Sequence, residues 1–165
     1  MQRTALGYQR FSCGACRRRF NERTGTPFNE LQYPTDVVLL AVLWRLRYKL
    51  SFRDVAELLL LRGFVVTHET VRQWELRFAP LITQQLRARR RGRVGVCHRA
   101  IKQRYYPMRG FGNFASASGF CTAFDELNDY LMLRRRGECR PSLSDQRRLF
   151  TERWQALMVE LAAAA

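Results

Sequence analysis

Residues 50–80 read LSFRDVAELLLLRGFVVTHETVRQWELRFAP, and this stretch decides the fold. It predicts two amphipathic helices joined by a short turn. The first begins after Ser51, which has the capping-box spacing with Asp54, and it ends at Gly63. Thr67 is a competent cap for the second helix. Two such helices across a short glycine-containing turn are typical of a helix-turn-helix unit.

The polar face of the second helix is the candidate DNA-reading surface. In a helix-turn-helix unit, the first turns of the second helix enter the major groove. Arg72 is suited to pair with guanine and Gln73 with adenine, and His68 and Arg77 are further candidate contacts. The alternative is a plain helical hairpin with a solvated polar face. The basic run that follows the helix favours DNA binding.

A long basic segment contains no carboxylate. Residues 76–124 include nine Arg and one Lys but no Asp or Glu, which suits a polyanion because each cation near a phosphate releases counterions. The same absence argues against a magnesium-dependent nuclease site in this segment, since Mg²⁺ prefers carboxylate oxygens. The alternative is a solvated arginine-rich linker. The candidate phosphate contacts, which have no acidic partner in the tract, are Arg89, Arg90, Arg91, Arg93, Lys102 and Arg104.

The composition supports the same partner. The 165 residues carry a net charge of +15, which favours nucleic acid first and an anionic membrane surface second. The longest apolar run, residues 37–44, has eight residues, whereas a spanning helix needs about 20. The N-terminus does not resemble a signal peptide, and the five cysteines lack the spacing of a disulfide framework. We therefore expect a cytoplasmic, nucleoid-associated protein.

Further helices flank the helix-turn-helix unit. An apolar helix from Thr35 or Asp36, either one a competent N-cap, to about Tyr48 should form the core. A helix over residues 114–131 and a last helix capped by Ser144 carry apolar stripes, which must find the helix-turn-helix unit, another subunit or nothing. The predicted class is mainly α, with a degenerate half zinc-ribbon-like segment (1–34), a helix-turn-helix DNA-binding domain (35–86), a basic linker (87–111) and a C-terminal helical segment (112–165).

Two groups of residues could form a metal or active site, but neither pattern favours one. Cys13 and Cys16 form a single CxxC knuckle, whereas a structural zinc site needs four ligands and usually two knuckles. The pattern predicts free thiols rather than zinc bound by one chain, with zinc shared between two chains as the alternative. The carboxylates outside the gap fall on predicted helices, where they should be solvent-exposed; they are Asp54, Glu57, Asp125, Glu126 and Asp129.

Taken together, several strings resemble transposases of the insertion-sequence-6 family, and they cover nearly all of the chain. The resemblance implies a helix-turn-helix unit that recognises terminal inverted repeats of double-stranded DNA. It also implies a catalytic domain of ribonuclease-H-like fold, in which three carboxylates hold two metal ions. The strings are RRRFNERTGTPF, LSFRDVAELLLLRG, THETVRQW, HRAIKQRYYPMRGF and RRLFTERWQALMVELAAA.

The catalytic part of that family has no counterpart here. Residues 94–102 read VGVCHRAIK, where the family usually reads V-E-Q-D-H-R-x-I-K. The resemblance thus places Gly95 where the catalytic glutamate belongs, and both catalytic aspartates are missing. This implies an internally deleted transposase.

The expected function is recognition of insertion-sequence ends without strand cleavage. No catalytic residue is assigned, and no cofactor is expected, neither the Mg²⁺ of the intact family nor zinc. One alternative is an active or trans-complemented transposase subunit, in a homo-oligomer or in a mixed oligomer with intact transposase. The other is a repressor-like regulator of the element.

Overall fold

A computed structural model describes residues 2–89, 101–132 and 142–163. Within these ranges a three-stranded antiparallel sheet of order β1-β2-β3 precedes five helices, which confirms the predicted mainly α class. The strands are β1 (Gln2–Arg3), β2 (Gln9–Ser12) and β3 (Arg19–Asn21). The helices are α1 (Thr35–Tyr48), α2 (Phe52–Leu60), α3 (His68–Arg89), α4 (Phe114–Leu131) and α5 (Leu143–Ala163).

Helix α1 is the central element of the core, as its apolar sequence predicts. It packs against α2, α3, α4 and α5, so a helix with apolar residues on nearly every side has no wide face left for water. Its fully buried side chains include Val38, Val42 and Leu46. None of the described helices is long and apolar enough to cross a lipid bilayer.

The ends of α2 follow the local sequence signals. The Ser51 hydroxyl accepts the Asp54 N–H at 3.1 Å, and the Asp54 carboxylate accepts the Ser51 N–H at 2.9 Å, so the capping box is confirmed. At the other end Gly63 has φ +82°, and its N–H donates to the Leu60 carbonyl while the Phe64 N–H donates to the Leu59 carbonyl. This is the hydrogen-bond pattern of a Schellman motif, in which glycine relieves the strain of a positive φ.

Two predicted caps are wrong. Neither Thr35 nor Asp36 caps α1, because the helix begins directly after Pro34 without a side-chain cap, and the Tyr8 hydroxyl accepts the Thr35 N–H at 3.0 Å instead. At α5 the Asp145 N–H donates to the hydroxyl of Ser142 rather than to that of Ser144. The first contact comes from a residue far away in the sequence, and the second places the cap of α5 two residues earlier than expected.

The two C-terminal helices pack on the helices that precede them. Helix α4 lies along α3 and α1, and α5 contacts α4, α1 and α3. Phe120 and Phe124 of α4 and Leu157 of α5 are fully buried in the same core as α1. The apolar stripes that could have been left without a partner therefore complete a single core.

The described part of the basic linker also contributes to that core. Ile101 and Met108 are buried, and a series of turns between them returns the chain, with the Met108 N–H donating to the Arg104 carbonyl at 2.9 Å. The segment before α4 is thus anchored to the core at Ile101 and Met108.

A buried ion pair lies where four helical regions meet. Arg45 of α1 is completely inaccessible to solvent, and its Nε lies 2.7 Å from Glu75 Oε2 of α3. Its Nη1 donates to the Leu50 carbonyl at 2.6 Å, and the guanidinium lies 4.3 Å from the ring centre of Phe52 and 4.8 Å from that of Phe120. A single side chain therefore joins α1 to α2, α3 and α4 through charge and ring-face contacts.

Burial shifts both members of this pair toward their neutral forms. It lowers the pKa of Arg45, with the charge of Glu75 opposing the shift, and it raises the pKa of Glu75, with Arg45 opposing. Desolvation is thus the larger effect on each group. Removing one partner of such a pair strongly lowers stability, because it leaves a bare charge in the core. Replacing both partners by apolar residues changes stability much less.

We expect Arg45→Met alone, or Glu75→Leu alone, to lower the free energy of unfolding by about 3–5 kcal/mol. The double variant should lose much less than the sum of the two losses, because neither charge is then left buried. Urea denaturation followed by circular dichroism measures all four free energies. Additive losses in the double variant would show that the pair is not coupled.

Candidate nucleic-acid interface

The first turns of α3 have one face buried in the core and one face exposed to solvent. The Thr70 N–H donates to the Thr67 hydroxyl at 3.2 Å, which confirms Thr67 as the cap and fixes the first turn. Val71 and Trp74 point into the core. The helical repeat then turns four predicted contact residues toward solvent: His68, Arg72, Gln73 and Arg77 are all exposed.

Arg72 is not free on this surface. Its Nε lies 3.0 Å from Glu69 Oε1 and 3.1 Å from Oε2, and its Nη2 also contacts Oε1. This bonding lowers the pKa of Glu69 and raises the pKa of Arg72. Both side chains are about half exposed (51% and 49%), so the pair contributes little to stability. It does hold the guanidinium beside the first turn of the helix.

The sequence places Glu69 on this polar face, but it did not identify Glu69 as the partner of Arg72. The available signal was the spacing of three residues between Glu69 and Arg72, which places two side chains on one helix face. Any partner of Arg72 must share the guanidinium with this carboxylate or displace it. Glu69 therefore belongs to the candidate site as the group that orients Arg72.

The arginines at the end of α3 have acidic partners from other helices. Arg87 Nε lies 2.9 Å from Glu126 Oε1 of α4, and Arg89 contacts the carboxylate of Glu160 of α5. The expectation that Arg89 lacks an acidic partner is wrong. The segment around Arg89 contains no carboxylate of its own, but packing brings Glu160 of α5 against it. Arg89 remains 42% exposed, so contact between its side chain and a phosphate stays a prediction.

The other predicted phosphate contacts divide into two groups. Lys102 and Arg104 are exposed on the turns that follow residue 100. Arg90, Arg91 and Arg93, like Gly95, lie outside the described residues.

The carboxylates of α4 do not behave as expected. Asp125 and Glu126 are buried, with 9% and 5% of their surface exposed, whereas the sequence suggested solvent-exposed helix charges. Glu126 is used by Arg87. Within the described ranges, no three His, Cys, Asp or Glu side chains come together in a way that could hold a metal ion.

The CxxC knuckle lies in the turn between β2 and β3. The Cys13 N–H donates to the Arg18 carbonyl at 2.9 Å, and the Arg17 N–H donates to the Cys13 carbonyl at 2.9 Å. Hydrogen bonds to the Cys13 sulfur from Cys16 and Ala15 lower the pKa of Cys13. The turn therefore presents two thiols as one knuckle, which is half of a zinc ribbon, and a closed zinc site would need two more ligands.

The fold and this surface define a small helical protein with a cationic, polar helix face, and comparison with known proteins places it beside transposases. A 57-residue segment is 44% identical to the transposase for insertion sequence-like element IS431mec of Staphylococcus aureus, and equally to the transposase for insertion sequence element IS257 in transposon Tn4003 of that species. The segment is 34% of this chain and 25% of each relative. The chain thus spans about a quarter of the length of the curated relatives that it matches.

No family model and no solved structure matches the chain. The similarity nevertheless supports the resemblance drawn from the sequence, and it makes the chain transposase-related over the matched part.

The cysteines allow a direct test of the knuckle geometry. Thiolates are the nucleophilic form, and the pKa of Cys13 is lowered by the turn whereas burial raises the pKa of Cys121, with Asp125 adding to that shift. As pH rises, alkylation of Cys13 by iodoacetamide should therefore reach its plateau before alkylation of Cys121. Mass spectrometry of digested protein measures both profiles. The difference between the two alkylation profiles should disappear in urea. A difference that persists in urea would show that local sequence, and not the folded structure, causes it.

Proposed function

We propose that this protein binds duplex DNA through the start of α3, as a transposase-related protein that recognises the ends of an insertion element and does not itself cut or join strands. One observation carries the proposal. The first turns of α3 expose His68, Arg72 and Gln73 together, while the opposite face of the helix is locked into the core by Val71 and Trp74. A rigid helix with a polar leading end is the geometry that enters a major groove.

The chemistry of these side chains favours base contacts. Gln73 can donate to and accept from one adenine edge, and Arg72 can donate two hydrogen bonds to guanine. Glu69 holds Arg72 against the helix in the free protein. Its carboxylate repels phosphates, so it disfavours binding of Arg72 to the DNA backbone and leaves base edges as the better partners. Glu69 would then improve discrimination at some cost in affinity.

Sequence-independent affinity would come from the cations around this face. The net charge of +15 attracts duplex DNA at long range, and Arg77 extends the exposed face by one turn beyond Gln73. Arg87 keeps 52% of its side chain exposed despite its ion pair. Such groups position a protein on DNA without reading sequence.

The proposed lack of strand cleavage rests on carboxylates. The relatives are named as transposases, and strand transfer on Mg²⁺ needs carboxylates that converge on the metal. Residues 76–124 contain none, and Glu126 is occupied by Arg87. These facts favour binding over catalysis.

The first experiment separates base reading from general affinity. Selection from a random duplex pool should give a preferred site, and fluorescence anisotropy then compares that site with its scrambled sequence at several salt concentrations. Arg72→Ala should reduce the preference by about 1–3 kcal/mol, the value of one good bidentate base contact, with little change in the salt dependence. Arg147→Ala, which removes an exposed arginine of α5, is the matched control and should leave the preference intact.

Glu69→Gln should also lower the preference for the selected site, but it should raise the overall affinity for DNA. With the repelling carboxylate gone, binding to both duplexes should tighten while the ratio between them falls. A selection that enriches no site would reject sequence recognition, and an unchanged ratio in Arg72→Ala would show that α3 is not the reading helix.

The second experiment concerns cleavage. Purified protein with Mg²⁺ or Mn²⁺ should leave supercoiled plasmid carrying the selected site unnicked, because the described residues include no carboxylate cluster that could hold the metal. Nicking that persists through repurification and disappears in Asp125→Asn would instead support the alternative of an active transposase subunit.

A further inference from the structure

The small N-terminal sheet exposes a stacked pair of aromatic rings. Phe11 of β2 lies directly opposite Phe20 of β3, and their ring centres are 5.4 Å apart with planes 23° from parallel. Phe11 is 41% and Phe20 is 44% exposed. Two rings that stack on each other and still face solvent form a flat apolar platform outside the core.

The register of the strands shows which residues lie on the same face of the sheet as the two rings. Residues directly opposite in an antiparallel pair point to the same face, and neighbours along a strand alternate. Gln9 and its partner Arg3 of β1 therefore lie on the face of the two rings. Arg10 and Arg19 lie on the other face. Arg3 thus lies beside the rings on their own face of the sheet.

The charge around the platform is uniformly positive. Residues 1–21 contain five arginines and no Asp or Glu, and all five are exposed. None of them forms an ion pair within the described part of the chain. Such a surface repels a second copy of the same sheet, whereas it attracts a polyanion. The five are Arg3, Arg10, Arg17, Arg18 and Arg19.

We propose that this sheet is a second nucleic-acid site, which binds a single strand by stacking bases on Phe11 and Phe20 while the surrounding arginines contact the phosphates. Unpaired bases present their faces to aromatic side chains, whereas a duplex buries those faces in its own stack. The platform has ring faces but few groups to read base edges, so the site accepts any sequence with a small preference at most. The proposal is independent of duplex reading by α3.

The platform can be altered without disturbing the core. The sheet is tied to the helices by Tyr8, whose hydroxyl bonds the start of α1, and by Arg23, which lies 5.1 Å from the Tyr8 ring centre. Phe11 and Phe20 take no part in these contacts. Variants at the two rings should therefore fold like the parent protein, which circular dichroism can check.

The test measures anisotropy of a labelled oligothymidylate, about 15 nucleotides long to match the usual site sizes. The double variant Phe11→Ala/Phe20→Ala should weaken its binding by about tenfold or more, while binding of the α3-selected duplex stays the same. The leucine pair Phe11→Leu/Phe20→Leu keeps the apolar surface but removes ring stacking, so it should lose as much as alanine. Arg3→Ala, which removes the arginine on the face of the rings, should flatten the salt dependence of oligothymidylate binding, and Arg147→Ala should not.

Cross-linking locates the contact directly. Irradiation of a 5-iodouracil oligonucleotide should attach it to Phe11 or Phe20, as mapped by mass spectrometry. Oligothymidylate binding that is insensitive to both ring variants, or fully restored by leucine, overturns the proposal. If the alanine pair instead converts a dimer into a monomer by light scattering and leaves oligothymidylate binding unchanged, the platform is covered by a second copy, and the proposal also fails.

Discussion

The positive charge of Arg45, buried where the helices converge, is the constraint on which the rest of the structure depends. A guanidinium without water needs a carboxylate, a carbonyl and ring faces around it, and these come from Glu75, the Leu50 carbonyl, Phe52 and Phe120. The ion pair requires Arg45 of α1 and Glu75 of α3 to meet at one point in the core. It thereby fixes how α3 and α4 approach α1.

This constraint links the core to the candidate interface. Glu75 lies on the buried face of α3, and its neighbours Trp74 and Phe78 pack beside it, with Phe78 stacked on Phe28 at 4.7 Å. A helix held so firmly on one side presents the other side in a fixed orientation. The exposed residues at its start are thus pre-organised for a ligand, which lowers the entropy lost on binding.

The helices themselves were largely predictable. The bounds of α1 and α4 agree with the expected segments, and the capping box at Ser51, the cap at Thr67 and the stop at Gly63 lie where local patterns placed them. The candidate base contacts on α3 were also placed correctly as exposed side chains, although their binding to DNA stays a prediction. The cap at α1 was wrong because the Thr35 N–H is taken by the hydroxyl of Tyr8, which is distant in sequence, and at α5 the capping hydroxyl is that of Ser142, two residues before the expected Ser144.

The sequence by itself determined which segments are helical and which face of each is apolar, because both follow from spacings within a few residues along the chain. Which charged residues are paired or buried depends on the tertiary structure instead. Arg89 looked free because no carboxylate lies near it in sequence, yet Glu160 of α5 is its partner, and Glu126 is buried beside Arg87. An ion pair depends on distance in space, and residues far apart along the chain acquire neighbours only when the core forms.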